Sequence, residues 1–484
     1  MARLEIPDGW VAQAYRYALD PTPTQERAFC SHAGAARFAP NHMLGLVKAV
    51  LDQRAAERSY NVAESELTPR LGWSLPALRR VWNKRKNAVA PWWGQNSKEA
   101  YNTGLDSLAR SLEAWAKSRR GERAGRSVGF PRFHGKRERA SVRFTTGVVR
   151  VEADRHHVTL PRLGSIRTHE STRKLGSRIE AGTARVLSAT LTRDSAGRWY
   201  VAFQVLVQRA AVCPAHVGVR GPLVGVDVGV KNLLVAATPD GSEFERFHAP
   251  KSLASARVRL RALQRKAARQ VGPFNTEAKR RQQPSKRWLR TRARISKTYA
   301  RTANQRRDAL HKATTRLAQR HQTITVETLN VSGMRTGGGA RKRGLNRALA
   351  DAALAQVRRM LAYKTAWYGS RLVAADRWYP SSKICSGCGS RKPRLLLAER
   401  SYGCEYCGMV LDRDLNAAIN LARLGEIHAQ GEQSPAGSGP VEGRGAMPET
   451  EPATAGDAAG CEASTPPQYL LDQTGSASTQ GEAV

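Results

Sequence analysis

Residues 223–232 read LVGVDVGVKN, and the aspartate at their centre decides how the rest of the chain is understood. The run around Asp227 is apolar enough for a buried strand, a tight glycine turn follows, and LLVAATPDG (233–241) supplies a second strand, so a hairpin is expected. A carboxylate inside such a strand is costly to bury unless it is paired or bound to a metal. The same anomaly recurs in HQTITVETLNVSGM (321–334), where Glu327 follows an apolar strand. One acid of this kind is commonly a strand-end or turn carboxylate. Two of them, followed by LDRDLNAAINL (411–421) with Asp412 and Asp414 at a helix start, shift the balance. Three carboxylates converging from two strands and a helix terminus make an oxygen-rich site suited to Mg2+. A pair of such ions about 4 Å apart activates water on one side and stabilises the leaving 3′ oxygen on the other, so phosphodiester hydrolysis needs no separate base.

The charge points the same way. The 484 residues hold 79 Lys and Arg against 40 Asp and Glu, a net +39 with a pI near 10.9, which excludes most small-molecule enzymes as a default class. At 41% apolar content the chain is globular, and two to four domains fit its length at roughly 100–200 residues each. The excess charge therefore lies on the surface, where nucleic acid is the leading polyanionic partner and an anionic membrane the second. From Gly425 to Val484 there are nine acids and one base, Arg444, so the tail nets −8 and residues 1–424 net +47. That tail is rich in Gly, Ala, Ser, Pro and Glu and is expected to be disordered. Residues 251–320 carry 22 Lys and Arg and only two acids, Glu277 and Asp308. A charge run is ordinarily a solvated helix face; this one is single-signed and long, and reads better as a helical hairpin tracking phosphates.

Around these segments the pattern is strand, helices, strands. AYRYALDPTP (14–23) alternates like a strand, TQERAFCSHAGAARFAPNHMLGLVKAVLDQRAAERS (24–59) is helical, and a further helical region runs to about Arg120. GVVRVEADRHHVTLPRLGSIRTH (147–169) and ARVLSATLTRDSAGRWYVAFQVLVQR (184–209) then give short strands at about ten-residue spacing. The expectation is a small β-barrel, 1–20 and 136–212, interrupted by a helical insertion, 21–135. Downstream, LNRALADAALAQVRRMLAYKTAWYG (345–369) reads as one helix, SRLVAADRWYP (370–380) as a strand, and LNAAINLARLG (415–425) as a helix capped by Gly425. No internal repeat is evident.

Of seven cysteines, Cys30, Cys213 and Cys461 are isolated, whereas Cys385-x2-Cys388 and Cys404-x2-Cys407 stand fifteen residues apart. Glycine turns at each pair let four thiolates face one tetrahedral Zn2+, and four thiolates leave no open position, so this zinc is structural. A disulfide framework is not indicated. No run approaches the ~18 apolar residues of a membrane span, and the N-terminus lacks a secretion layout. A cytosolic, nucleoid-associated protein without membrane contact is expected. Trp92-Trp93 and Trp367-Tyr368 offer base-stacking platforms, though such pairs are more often packing anchors. His156-His157 shows no ligand spacing.

The order strand–Asp, strand–Glu, helix–Asp is that of an RNase H-like nuclease. Within that fold GVDVGVKN (225–232), VETLNVSGM (326–334), SSKICSGCGSRKPRLLLAERSYGCEYCG (381–408) and DRDLNAAINLARLG (412–425) together closely resemble TnpB, the transposon-encoded RNA-guided nuclease related to the type V CRISPR effectors. YALDPTPTQERAFCSHAGAARF (17–38), GFPRFHGKR (129–137) and SVRFTTG (141–147) resemble the same family, so the likeness spans roughly residues 12–425. It implies an α/β RuvC-like nuclease domain over 222–382, including the basic helical segment, with an inserted zinc ribbon at 383–410 and the end of the domain at 411–425. A wedge β-barrel interrupted by a helical recognition domain precedes it, and the acidic tail 426–484 lies outside.

The resemblance further implies a protein that binds one transposon-derived guide RNA per chain and recognises a target-adjacent motif in double-stranded DNA. Both strands are then cut at one Mg2+-dependent site. Carried onto this sequence, the catalytic residues are Asp227, Glu327 and Asp414, and the zinc ligands Cys385, Cys388, Cys404 and Cys407. Asp414 is preferred because the family's third acid directly precedes an x-Asn-Ala unit, here Leu415-Asn416-Ala417; Asp412 is the alternative. Thr328 departs from the family, where that position is commonly acidic. Two other readings stay open: a nuclease-inactive RNA-guided DNA-binding regulator, and a strand-transfer transposase on the same fold.

Overall fold

A computed structural model describes residues 6–135, 140–209, 221–272, 274–275, 280–281, 284–336, 339–396 and 399–431. The tail expected to be disordered lies outside these residues from 432 onward, as do Cys213 and Cys461. The chain divides into two compact units, one ending at Gln208 and the next beginning at Arg209.

The first unit starts with β1 (Trp10–Asp20) and continues through the helices α1 (Pro23–Ser59), α2 (Leu75–Val89) and α3 (Lys98–Arg119). Then come β2 (Ser141–Phe144), β3 (Arg150–Val151), β4 (His157–Leu160), β5 (Gly164–Thr168), α4 (Arg173–Glu180), β6 (Ala184–Arg193) and β7 (Trp199–Gln208). Helix α1 begins where local chemistry says it should. Thr22 and Gln25 exchange side-chain and backbone hydrogen bonds in a capping box, and Pro23 occupies the first turn, where its missing N–H costs nothing. The strands form one antiparallel sheet in the order β2-β6-β7-β1-β5-β4-β3, with β7 and β5, which follow the helices, coming back to pair with β1 on either side. Phe29, Met43, Leu78, Leu105 and Leu112 of the helices share a core with Phe144 and Phe203 of the sheet.

The second unit opens with β8 (Gly221–Val228), β9 (Asn232–Ala237) and β10 (Glu243–His248). Helix α5 (Ser252–Arg269), the short pair β11 (Phe274–Asn275) and β12 (Arg280–Arg281), and the 35-residue α6 (Lys286–Arg320) follow. Next are β13 (His321–Val326), α7 (Val331–Arg335), α8 (Gly339–Ala352), α9 (Leu354–Tyr368) and β14 (Arg371–Ala374). The hairpin β15 (Ser401–Gly403) and β16 (Val410–Asp412) leads into α10 (Arg413–Gly431). Five strands make a mixed sheet, β10-β9-β8-β13-β14, in which β8, β13 and β14 run parallel and β9 antiparallel, an arrangement consistent with an RNase H-like fold.

Alternation along β8 assigns its two faces. Val224, Val226 and Val228 join Leu310 and Leu317 of α6 and Val357 and Leu361 of α9 in one core. Leu223, Gly225 and Asp227 therefore face the other way, toward α10. There the packing is backbone to backbone: a Cβ on Gly225 would fall 2.0 Å from the Ala418 carbonyl oxygen and 2.2 Å from the Ala422 nitrogen. The reciprocal close approach is at Gly425, whose Cβ would lie 2.2 Å from Thr325 Oγ1 and 3.0 Å from Leu223.

Two sequence expectations are corrected here. Gly425 does not cap α10, which continues to Gly431; it is glycine because β8 and β13 press against it. The single helix expected over 345–369 is split at Ala353, which adopts a left-handed conformation (φ 53°) between α8 and α9. That conformation costs roughly 1–2 kcal/mol in a non-glycine residue, and burial of Leu349, Leu354, Val357 and Leu361 on both sides of the break outweighs it. Gly225→Ala should destabilise the second unit by about 3 kcal/mol in denaturant unfolding, because neither neighbouring atom belongs to a movable side chain. Gly344→Ala, inside α8 with open space around it, should be neutral or stabilising by up to ~1 kcal/mol.

Candidate active site and metal centre

Strand register brings the first two acids side by side. Val226 of β8 pairs with Val326 of the parallel β13, so Asp227 and Glu327 each stand one residue beyond that pair, at the carboxyl ends of adjacent strands. Open α/β sheets bind ligands at such ends. The close packing at Gly225 lays the first turn of α10, with Asp414, against the same face. The acids also act on one another through their charges. Burial first, then the neighbouring charges of Glu327 and Asp414, push the Asp227 carboxyl well above its ordinary range, with Arg413 opposing and Asp412 adding to the rise. Burial likewise raises Glu327, against the Ser381 hydroxyl and Arg413, which lower it.

Each acid has its own support. The Ser381 hydroxyl donates to Glu327 Oε1. Asn232 Nδ2 donates to Asp414 Oδ2 at 3.0 Å, and Asn232 Oδ1 lies 3.0 Å from His248 Nδ1. Asp412 is occupied differently: its Oδ1 accepts the N–H groups of Asp414 and Leu415 at 3.0 and 3.1 Å, capping α10, and meets Arg246 at 3.4 Å. Asp412 thus serves as a helix cap through one oxygen, whereas Asp227 and Glu327 lie close enough to Asp414 to feel its charge.

The thiolates form a second centre. Cys385, Cys388, Cys404 and Cys407 place their sulfurs within 4.8 Å of one another, and among the described residues no other group of three or more such ligands meets that spacing. Cys385 and Cys407 are 3.6 Å apart, as are Cys388 and Cys404, close to the ~3.8 Å edge of a tetrahedron with ~2.3 Å Zn–S bonds. Each knuckle turns back on itself through a glycine: Gly389 N–H donates to Cys385 O and Gly408 N–H to Cys404 O, both glycines at positive φ. Ser390, 3.1 Å from Cys388 and 3.2 Å from Cys404, lowers both thiols, Cys404 to about 6. The donor set fits a structural zinc.

The basic stretch folds as two helices packed on each other, with Leu260 and Ala267 of α5 against Ile295 of α6. Asp308 is the only acid within α6 and holds Lys312, while Arg316 reaches Glu245. Most of the cations on this helix therefore have no acidic partner among the described residues. Within the aromatic pairs, Trp92 meets Phe38 edge-on at 5.3 Å, Lys86 sits 3.7 Å over Trp93, and Trp367 packs on Tyr363 at 4.6 Å. His157 pairs with Asp154. Sequence reasoning missed Asn232, Ser381 and His248. Only Asn232 had a signal, a polar residue closing the GVKN turn of the first acidic strand.

Because Asp227 and Glu327 are harder to ionise folded than unfolded, they favour folding fully at low pH, and that contribution is lost as pH rises through their folded values. Asp227→Asn should therefore raise the melting temperature of the metal-free protein at pH 7, by about 2–4 °C per kcal/mol relieved. The gain should vanish as pH falls to about 4, the unfolded carboxylate value. Purified protein should also hold one zinc per chain by elemental analysis; Cys404→Ser should lose it and Cys30→Ser, at an exposed thiol on α1, should keep it.

Three sequence families match parts of the chain: "Helix-turn-helix domain" over residues 11–54, "Probable transposase" over 219–337 and "Cas12f1-like, TNB domain" over 355–421. Residues 11–54 fold here as β1 and part of one 37-residue helix. Rv2885c of Mycobacterium tuberculosis H37Rv, named as an RNA-guided DNA endonuclease, is 39% identical over 468 residues, covering 94% of this chain and 95% of its own. InsQ of Escherichia coli K12, with the same name, is 28% identical over 88% of this chain and 95% of its own. A solved Cas12f1–sgRNA–target DNA complex aligns at 14% identity and a TM-score of 0.39, over 86% of this chain and 99% of that one. With 39% identity along nearly the whole of two chains, this protein belongs to the TnpB/OrfB family of transposon-encoded RNA-guided endonucleases.

Proposed function

We propose that the chain is an RNA-guided DNA endonuclease that makes double-strand breaks beside a target-adjacent motif, with Asp227, Glu327 and Asp414 as its catalytic carboxylates. The observation that carries this reading is the register that sets Asp227 beside Glu327 at adjacent strand ends, with α10 bringing Asp414 to the same face. Magnesium bound by these three acids, as two ions, would supply the Lewis acidity that activates water and stabilises a leaving 3′ oxygen. The protein's own part is orientation. Asn232 fixes one oxygen of Asp414, Ser381 fixes one of Glu327, and Asp412 anchors the start of α10, so the acids are held before substrate arrives.

The remaining assignments belong to the same proposal. Residues 1–20 and 136–212 form the wedge barrel, 21–135 the helical recognition part, 222–382 the nuclease, 383–410 the zinc ribbon, and 411–425 the end of the nuclease, now extended by α10 to 431. The cation-rich surface of α5 and α6 seats the phosphates of the guide RNA, one guide per chain, and double-stranded DNA is the target. Relatives named as RNA-guided DNA endonucleases support this choice of partners.

The test begins with sequencing the RNA that co-purifies with the protein, which should be one discrete species encoded beside its gene. Loaded with it, the protein should cut a matching duplex in Mg2+. Asp227→Ala and Glu327→Gln should lower cutting by more than about a hundredfold, beyond the usual effect of outer-shell partners, while target binding persists. Cutting that survives Asp227→Ala would move the site elsewhere, and strand-transfer products in place of breaks would favour a transposase.

A further inference from the structure

Residues 379–386, on the path from β14 to the thiolates, belong to no helix or strand, yet their polar backbone is closely held. The grip comes from one face of α10. Asn416 Oδ1 accepts the Ser386 N–H at 2.9 Å and its Nδ2 donates to Ile384 O at 2.7 Å. One turn on, Asn420 Nδ2 donates to Ser381 O at 2.8 Å and to Ile384 O at 2.7 Å. Arg423 donates to Ser386 O, and the Tyr379 hydroxyl returns a bond to Asn420 O at 3.2 Å. Asn416 and Asn420 are 0% and 3% exposed, so these amides have no water to turn to.

The two ends of this segment matter. At one, the Ser381 hydroxyl donates to Glu327. At the other, the chain enters Cys385 of the thiolate cluster. The helix that supplies the grip also carries Asp414, two residues before Asn416. Glu327 and Asp414 are thus indexed to one rigid body, Asp414 directly and Glu327 through Asn420, the Ser381 backbone and the Ser381 hydroxyl. Only a side chain with both a donor and an acceptor can serve at residue 416, and aspartate at 420 would set a carboxylate against two carbonyls.

We propose that Asn416 and Asn420 are positioning residues, which hold residues 381–386 so that the Ser381 hydroxyl orients Glu327 as a ligand beside Asp414. The inference rests on the reading of the three acids as a divalent-cation site. Outer-shell partners of metal ligands commonly contribute 10–100-fold to metal affinity or activity.

The test is a Mn2+ titration of the full-length protein, without nucleic acid, read by electron paramagnetic resonance, alongside zinc content and melting temperature. Ser381→Ala, a small truncation, should weaken Mn2+ binding about tenfold. Asn420→Ala should weaken it by a similar factor with zinc still at one per chain, and the double variant should be no weaker than either single one, since both act through one contact. Asn420→Ala that melts earlier but binds Mn2+ as tightly as the wild type would leave the asparagine a purely structural residue and overturn the proposal. So would an unchanged affinity in Ser381→Ala, whatever the fate of the asparagine variant. If the wild type itself takes up no Mn2+ at a site sensitive to Asp227→Asn, the reading of the acids fails, and the inference with it.

Discussion

A helix can lie on a strand only as closely as the intervening side chains allow, and at Gly225 there is none. The backbone of α10 rests directly on β8 there, and Gly425 repeats the arrangement against Thr325 and Leu223. Much of the second unit's site depends on that contact. It sets the height of Asp414 over the sheet, and it places Asn416 and Asn420 where they can reach residues 381–386. Even one methyl group at residue 225 would lift the helix and separate the carboxylates that the strand register has brought together. A site built from two strand ends and a helix start needs that third element fixed to within a fraction of an ångström.

The parts legible in the sequence were those whose cost is local. Asp227 and Glu327 stood out because a carboxylate beside valines and isoleucines is expensive wherever the chain goes next, whereas their shared strand end follows only from the register of β8 on β13. The cysteines were legible because two thiols three apart on a glycine turn have few uses other than a metal. What escaped was set by partners far along the chain. Gly425 read as a helix stop, since a glycine that ends a helix and one that admits a strand look identical in one dimension. Nothing in ALADAALAQ announces the left-handed turn at Ala353, which exists only because both flanking helices have buried faces to satisfy. Ser381 and Asn420 are ordinary polar residues until the fold brings them to Glu327 and to the loop. The family resemblance supplied roles for the acids, but the bonds that orient them are visible only in three dimensions.

The electrostatics of the chain are organised by contrast. Residues 1–424 carry a net +47, and α6 exposes a long run of cations, yet at the carboxyl ends of β8 and β13 burial and neighbouring acids hold the Asp227 and Glu327 carboxyls above their ordinary range. Like charges held this close make ionising the buried pair costly. Burial adds to that cost, which lowers stability wherever both acids are ionised.

The distance along the chain between the acids has a consequence in time. Asp227 and Glu327 can come together as soon as β8 and β13 have formed, but Asp414 comes near the end of the described residues, after the thiolate hairpin. Chains are made at about 5–20 residues per second and fold as their segments emerge. For many seconds, then, a growing chain exposes its basic helices while lacking the element that completes the carboxylate cluster. A product broken off before α10 would carry the basic helices and the first two acids without Asp414 or the asparagines that hold residues 381–386.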